Sequence, residues 1–206
     1  MTFYIWLTGL TLYALFIAWY HNWRGALRET EIDAYTTQLK TRPNTDDKTR
    51  DLLQKFMRED KGREFLMLNL LQFHGGDVAH PITGEDIRPS HLLQEYFKPF
   101  IGRMLLRAGH PALTGIIRAG YIEAWGVEEN HGWQAAGIIR YRSRRDMMKA
   151  ICDETFSDIH VFKHAALAHT LAMPMERTAP LFSPRLSVAV VLVAVCACLH
   201  ILVGGV

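Results

Sequence analysis

Cysteine is scarce in these 206 residues, with three in all: Cys152, Cys196 and Cys198. No disulfide framework can be built from them, which fits a reducing compartment. Cys196 and Cys198 fall inside an apolar run, where a C-x-C pair reads as small helix filler. Cys152 has no base partner visible in the sequence and reads as packing. An excess of charge is missing too. The net charge is +2, from 23 basic and 21 acidic residues, which excludes a nucleic-acid footprint of clustered basic residues. There is no nucleophile elbow, phosphate loop, dinucleotide fingerprint or zinc knuckle. Ten histidines are present. His160 and His164 share one helical face, but there is no HExxH pattern and no carboxylate at a matching spacing, so no metal site is assigned.

Two long stretches also lack charge. Residues 186–206 read LSVAVVLVAVCACLHILVGGV, and residues 3–20 read FYIWLTGLTLYALFIAWY. A bilayer cannot hydrate backbone polar groups, so uncharged apolar runs of about 20 residues read as membrane-spanning helices. The first run has no Lys or Arg before Phe3 and no small-x-small cleavage site, so it reads as an uncleaved anchor rather than a signal peptide. Trp19, Tyr20 and Trp23 then form an interfacial aromatic belt, with Arg24 and Arg185 at the membrane surface. Arg24, Arg28, Arg177 and Arg185 all flank the inner sides of the runs, and the outer tails carry no Lys or Arg. By the positive-inside rule, the intervening domain faces the cytoplasm of an inner membrane.

The expected organisation is a span over 1–23, juxtamembrane helices over 24–62, an α+β domain over 63–176, a linker over 177–185 and a second span over 186–206. In the juxtamembrane part, Ile32, Tyr35 and Leu39 mark a helix over 28–39. Thr45 caps another helix, with Leu52, Leu53, Phe56 and Met57 on one face. The run Glu64–Phe73 is too short for a membrane and reads as a buried strand. A helix over 89–107 follows, kinked or split at Pro99. Strands are expected over 113–125 and 133–141, joined by the turn 128–132, with Gly115 and Gly120 marking a bulge or close approach. Capping boxes at Ser143–Asp146 and Thr155–Asp158 start helices over 144–151 and 156–168, and a last strand covers 169–175. The order β-α-β-β-α-β is that of a ferredoxin-like unit, whose second sheet face must be covered or paired.

Residues 64–174 resemble an uncharacterised bacterial domain family of the dimeric α/β-barrel superfamily. The pieces that carry the likeness are Met67-Leu-Asn-Leu-Leu-Gln-Phe73, Tyr96, Gly109, Trp133, Ile139-Arg-Tyr-Arg-Ser-Arg144 and Lys163-His-Ala-Ala-Leu167. The resemblance implies two units packed sheet to sheet and implies no reaction. It departs at His164, where such proteins tend to place an arginine, and it includes neither span.

Candidate site residues follow. Asn69 lies mid-strand in an apolar run and either orients a ligand or pins a dimer seam. Glu123 and Arg140 lie near strand ends, either at a cavity mouth or in a structural ion pair. With Tyr96 they make the candidate ligand set Asn69, Tyr96, Glu123 and Arg140. His200, inside the second run, makes an interfacial hydrogen bond or ligates a chlorin or haem. No cofactor is otherwise implied. Two functions fit. One is an accessory or scaffolding subunit of a larger bacterial membrane complex, such as an energy-transducing one, bound to lipids and to other integral membrane subunits. The other is a membrane-anchored enzyme or carrier for a lipophilic small molecule.

Overall fold

The computed structural model describes residues 1–41, 46–127, 132–178 and 183–204, except for the side chains of 154–157. The chain divides into two compact units, one formed by 1–23 with 177–206 and the other by 24–176.

The first unit is a pair of helices, α1 (Thr2–Tyr20) and α7 (Pro184–Gly204), both long and apolar enough to cross a membrane. Pro184 begins α7 two residues before the charge-free run, at a position that tolerates a missing amide donor. Gly9 lets the helices approach closely: a methyl group there would lie 2.5 Å from the Cys196 sulfur. Trp6 Nε1 donates to His200 Nδ1 at 3.1 Å, so the imidazole is tied to the opposite helix. Tyr20 stacks on Phe16, and the Arg185 guanidinium lies 5.1 Å above its ring. Trp19 and Trp23 are exposed, and Trp23 Nε1 donates to the carbonyl of Ala18.

The second unit is mixed α+β. Its sheet contains β1 (Phe65–Phe73), β4 (His110–Ile116), β5 (Ala135–Tyr141) and β6 (Leu167–Met175), in the order β4-β5-β1-β6, with every neighbouring pair antiparallel. Strands β2 (Val78–Ala79) and β3 (Asp86–Ile87) form a small separate hairpin in the stretch that follows β1. His80 holds that hairpin: Nδ1 accepts from the amides of Ile82 and Thr83, while Nε2 meets Glu95 at 3.1 Å.

Helices α2 (Glu29–Lys40) and α3 (Asp47–Arg58) share a core with the sheet through Ile32, Leu39 and Met57. Asp46, not Thr45, caps α3, because its carboxylate accepts from the Thr49 amide at 2.8 Å; Thr45 lies outside the described residues. Arg24 pairs with Glu31 at 3.1 Å.

Helix α4 (Pro89–Leu106) is not split: Pro99 lies within it, and Leu92, Leu93, Tyr96, Phe100 and Met104 form its buried face. The helix ends where Ala108 takes a left-handed conformation (φ 55°) and the Gly109 amide reaches back to the Met104 carbonyl. A side chain at Gly109 would displace the end of Met104 and crowd the Met104 and Arg140 carbonyls, each 3.2 Å away.

Strand β4 departs most from expectation. It starts at His110 and stops at Ile116, and residues 117–127 contain no strand. It runs through Pro111, which an edge strand tolerates because one side needs no amide donor. The bulge is between Pro111 and Leu113 rather than at either glycine.

Helices α5 (Arg144–Ile151) and α6 (Glu154–Ala166) complete the unit, and β6 follows α6 directly. Ser143 caps α5 as its spacing requires: its hydroxyl accepts from the Asp146 amide and donates to the Asp146 carboxylate at 2.7 Å. The second capping box depends on side chains outside the described set.

Candidate functional site

Alternation along the sheet separates two faces. Met67, Asn69, Leu71 and Phe73 of β1 lie beside Ile139, Gly137 and Ala135 of β5 and face the helices. Between this face and α4, α5 and α6 lies a cavity of about 700 Å³. It exists because β5 contributes almost no side-chain bulk at its centre. A Cβ added at Gly137 would meet only Thr114, at 3.9 Å. The helical wall is aromatic, with Tyr96, Phe97 and Phe100; the Tyr96 and Phe100 rings stack at 5.3 Å.

A few polar groups interrupt this lining. Asn69 Nδ2 donates to the Met67 carbonyl at 3.0 Å and to that of Gly137 at 3.4 Å, which fixes the amide, and Oδ1 accepts from no described residue. Tyr141 stacks on Phe65, and burial pushes its hydroxyl pKa above the ordinary tyrosine range. Tyr96 is raised by burial and further by the nearby Tyr141. Both phenols therefore stay protonated and can donate hydrogen bonds at physiological pH. Lys163 of α6 also lines the cavity, with its ammonium 5.7 Å from the centre of the Tyr96 ring. Burial pulls its pKa below the usual lysine value.

Of the candidate ligand set, the fold brings Asn69 and Tyr96 together at this cavity. Arg140 is fully buried elsewhere: it donates to Glu64 at 2.6 Å and to the Ala108 carbonyl, clamping the end of α4 to the sheet. Glu123 is exposed, in the strand-free segment after β4. The sequence reading missed Lys163 as a lining residue. The signal was present, since Ile159, Lys163 and Ala166 share one face of α6, which places the lysine on an apolar stripe. His160 and His164 lie edge to face at 4.7 Å, and among the described residues no group of three or more His, Cys, Asp or Glu side chains is placed to hold a metal ion.

The other face of the sheet is apolar and partly exposed. Registered pairs place Leu113, Ile138, Leu68 and Met173 in one row across all four strands. Leu70 and Leu171 lie side by side in the next row. Leu113 is 65% exposed, Leu171 45% and Met173 41%, an unusual amount of apolar surface for one sheet face.

No family profile and no curated protein matches this chain. Solved structures similar in fold include two of one protein. One is methylated RPA0582, at 17% identity and TM-score 0.54, covering 64% of this chain and 93% of that one. The other is RPA0582 from Rhodopseudomonas palustris, described as a protein of unknown function, at 17% identity and TM-score 0.54, covering 66% of this chain and 98% of that one. Likeness at this level is one of fold, and the rest of this chain lies outside it.

Proposed function

We propose that this chain is a membrane-anchored protein whose α+β unit takes up a lipophilic small molecule at the cytoplasmic side of an inner membrane. The observation that carries this reading is the cavity of about 700 Å³, a size and an apolar, aromatic lining suited to a small ligand. Asn69, with its amide fixed and Oδ1 unused, gives that cavity an orienting group.

Helices α1 and α7 supply the anchor. They are 19 and 21 residues long, and only 6% of each apolar window is buried, whereas water-soluble helices would bury one stripe. Arg24, Arg28, Arg177 and Arg185 support the cytoplasmic side. The sheet order β4-β5-β1-β6, with helices inserted after β1 and β5, supports a ferredoxin-like unit that pairs with a second copy through the apolar rows.

The test is native mass spectrometry of the full chain, extracted in mild detergent from carbonate-washed membranes. A bound small molecule of constant mass, absent from a Gly137→Leu variant, is expected. Empty protein in every preparation, or intact protein released by the carbonate wash, would sink the proposal.

A second reading, an accessory or scaffolding subunit of a larger membrane complex, is favoured by the apolar rows together with the exposed apolar surface of α1 and α7. There the sheet face is met by another protein. Stoichiometric co-purification of integral membrane partners is expected, and a lone monomer or dimer at all detergent concentrations counts against it.

A further inference from the structure

The cavity's charges do not balance. Among the described residues Lys163 is its one ionised lining group, and none of them lines it with a carboxylate. Among the described residues, no acidic side chain forms an ion pair with Lys163, whose ammonium lies over the Tyr96 ring. Lys163 is half-buried, and a cation partly withdrawn from water beside apolar groups without a counter-ion carries a desolvation cost. The depressed pKa of Lys163 is the signature of that cost. The same lining holds the Tyr96 and Tyr141 phenols, both kept protonated by burial, and Asn69, whose Oδ1 accepts from no described residue.

We infer that the cavity is a site for a hydrophobic carboxylic acid, bound as its carboxylate against Lys163 with its apolar body between the Phe97 and Phe100 rings and the floor at Gly137. This rests on the small-molecule reading above and gives that ligand a chemical class. One lysine matches the single charge of a carboxylate. A phosphate carries more charge and calls for an arginine fork or several backbone donors, and among the described residues no arginine lines the cavity. A neutral ligand would leave the ammonium uncompensated.

The experiment uses the full chain in mild detergent and two isosteric, water-soluble probes, naphthalene-2-carboxylate and naphthalene-2-carboxamide, titrated by calorimetry. Wild type is expected to bind the carboxylate roughly tenfold or more tightly than the carboxamide, the gain ordinary for a charge-assisted contact. Lys163→Met should bring the two probes to parity without weakening the carboxamide, and Lys163→Arg should keep the preference. Carboxylate affinity should fall as pH rises through the lysine's titration, while carboxamide affinity stays flat. Gly137→Leu, which fills the cavity, should lose both probes.

Equal affinity for both probes in wild type, or a preference that survives Lys163→Met, overturns the inference and leaves the cavity reading standing. Failure of both probes to bind removes the cavity reading and the inference together. Retention of both by Gly137→Leu places binding elsewhere and also overturns the inference.

Discussion

Arg145 grips Glu31 through two parallel contacts, Nε to Oε1 at 2.8 Å and Nη2 to Oε2 at 2.9 Å. The same guanidinium donates to the carbonyls of Gly25 and Ala26, at 3.2 and 2.8 Å. One side chain at the start of α5 thus holds both the entry to α2 and its first turn. Arg145 is 3% exposed, while the Glu31 side chain keeps 21% of its surface open to water, so the pair is screened from one side only.

A pH dependence follows from this pair. The hydrogen bond from Arg145 is the chief cause that lowers the Glu31 pKa from 4.5 to about 2. A carboxylate with a depressed folded-state pKa stabilises fully above its unfolded value, and that stability drains as pH falls from about 4.5 towards 2. Glu31→Gln is expected to cost about 2 kcal/mol at neutral pH and to flatten the acid limb of a thermal-unfolding series. An acid limb identical to that of wild type would show that the pair is not linked to folding.

Gly62 is a sharper test of backbone geometry. Its φ is +72°, and an added Cβ would stand 2.6 Å from Ala26 N and Gly25 C. Gly62→Ala should cost roughly 2–4 kcal/mol, combining left-handed strain with a collision against backbone that cannot swing away. Gly75→Ala, at a position with open space around it, should be nearly neutral. Equal melting temperatures for the two variants would contradict the close approach at Gly62.

The helix pair can be read by cross-linking. Gly9→Cys, made with Cys152 and Cys198 replaced by Ser, should form an intramolecular disulfide with Cys196 on mild oxidation. A Cβ at position 9 lies 2.5 Å from that sulfur. The readout is a mobility shift abolished by reductant. Persistence of two free thiols after oxidation would mean that α1 and α7 do not pair in this register.

Leu68 tests the sheet face. It lies mid-row, between Ile138 and Met173. If two copies pair through this face, Leu68→Glu should halve the protein mass of the detergent particle measured by light scattering, because burying an unpaired carboxylate costs several kcal/mol. A wild-type particle already of monomer mass would rule out self-pairing.

The apolar runs announced α1, α7 and β1 because each environment demands continuous hydrophobicity. The Ser143 cap announced α5 because its spacing is a local property of one turn. Strand β4 was misread because its start depends on Pro111 being tolerated at an edge, and edge status is a property of the whole sheet. The β2–β3 hairpin was hidden because His80 organises it from within a loop-like composition. The cavity was half legible. Asn69 stands out as an amide in an apolar run, but Lys163 looks like any surface lysine until the periodicity of α6 is set against what it faces. Arg140 and Tyr141 are adjacent in sequence yet lie on opposite faces of the sheet, and this separates a structural clamp from a lining hydroxyl.

Both outer strands of the sheet contain an imino acid, Pro111 in β4 and Pro174 in β6. Each removes a main-chain donor from a margin to which a stray β-segment would otherwise add. Lateral growth into fibres is thereby discouraged at both borders. A protein that leaves greasy residues open on one broad side can then associate there without also seeding ribbons along its rims.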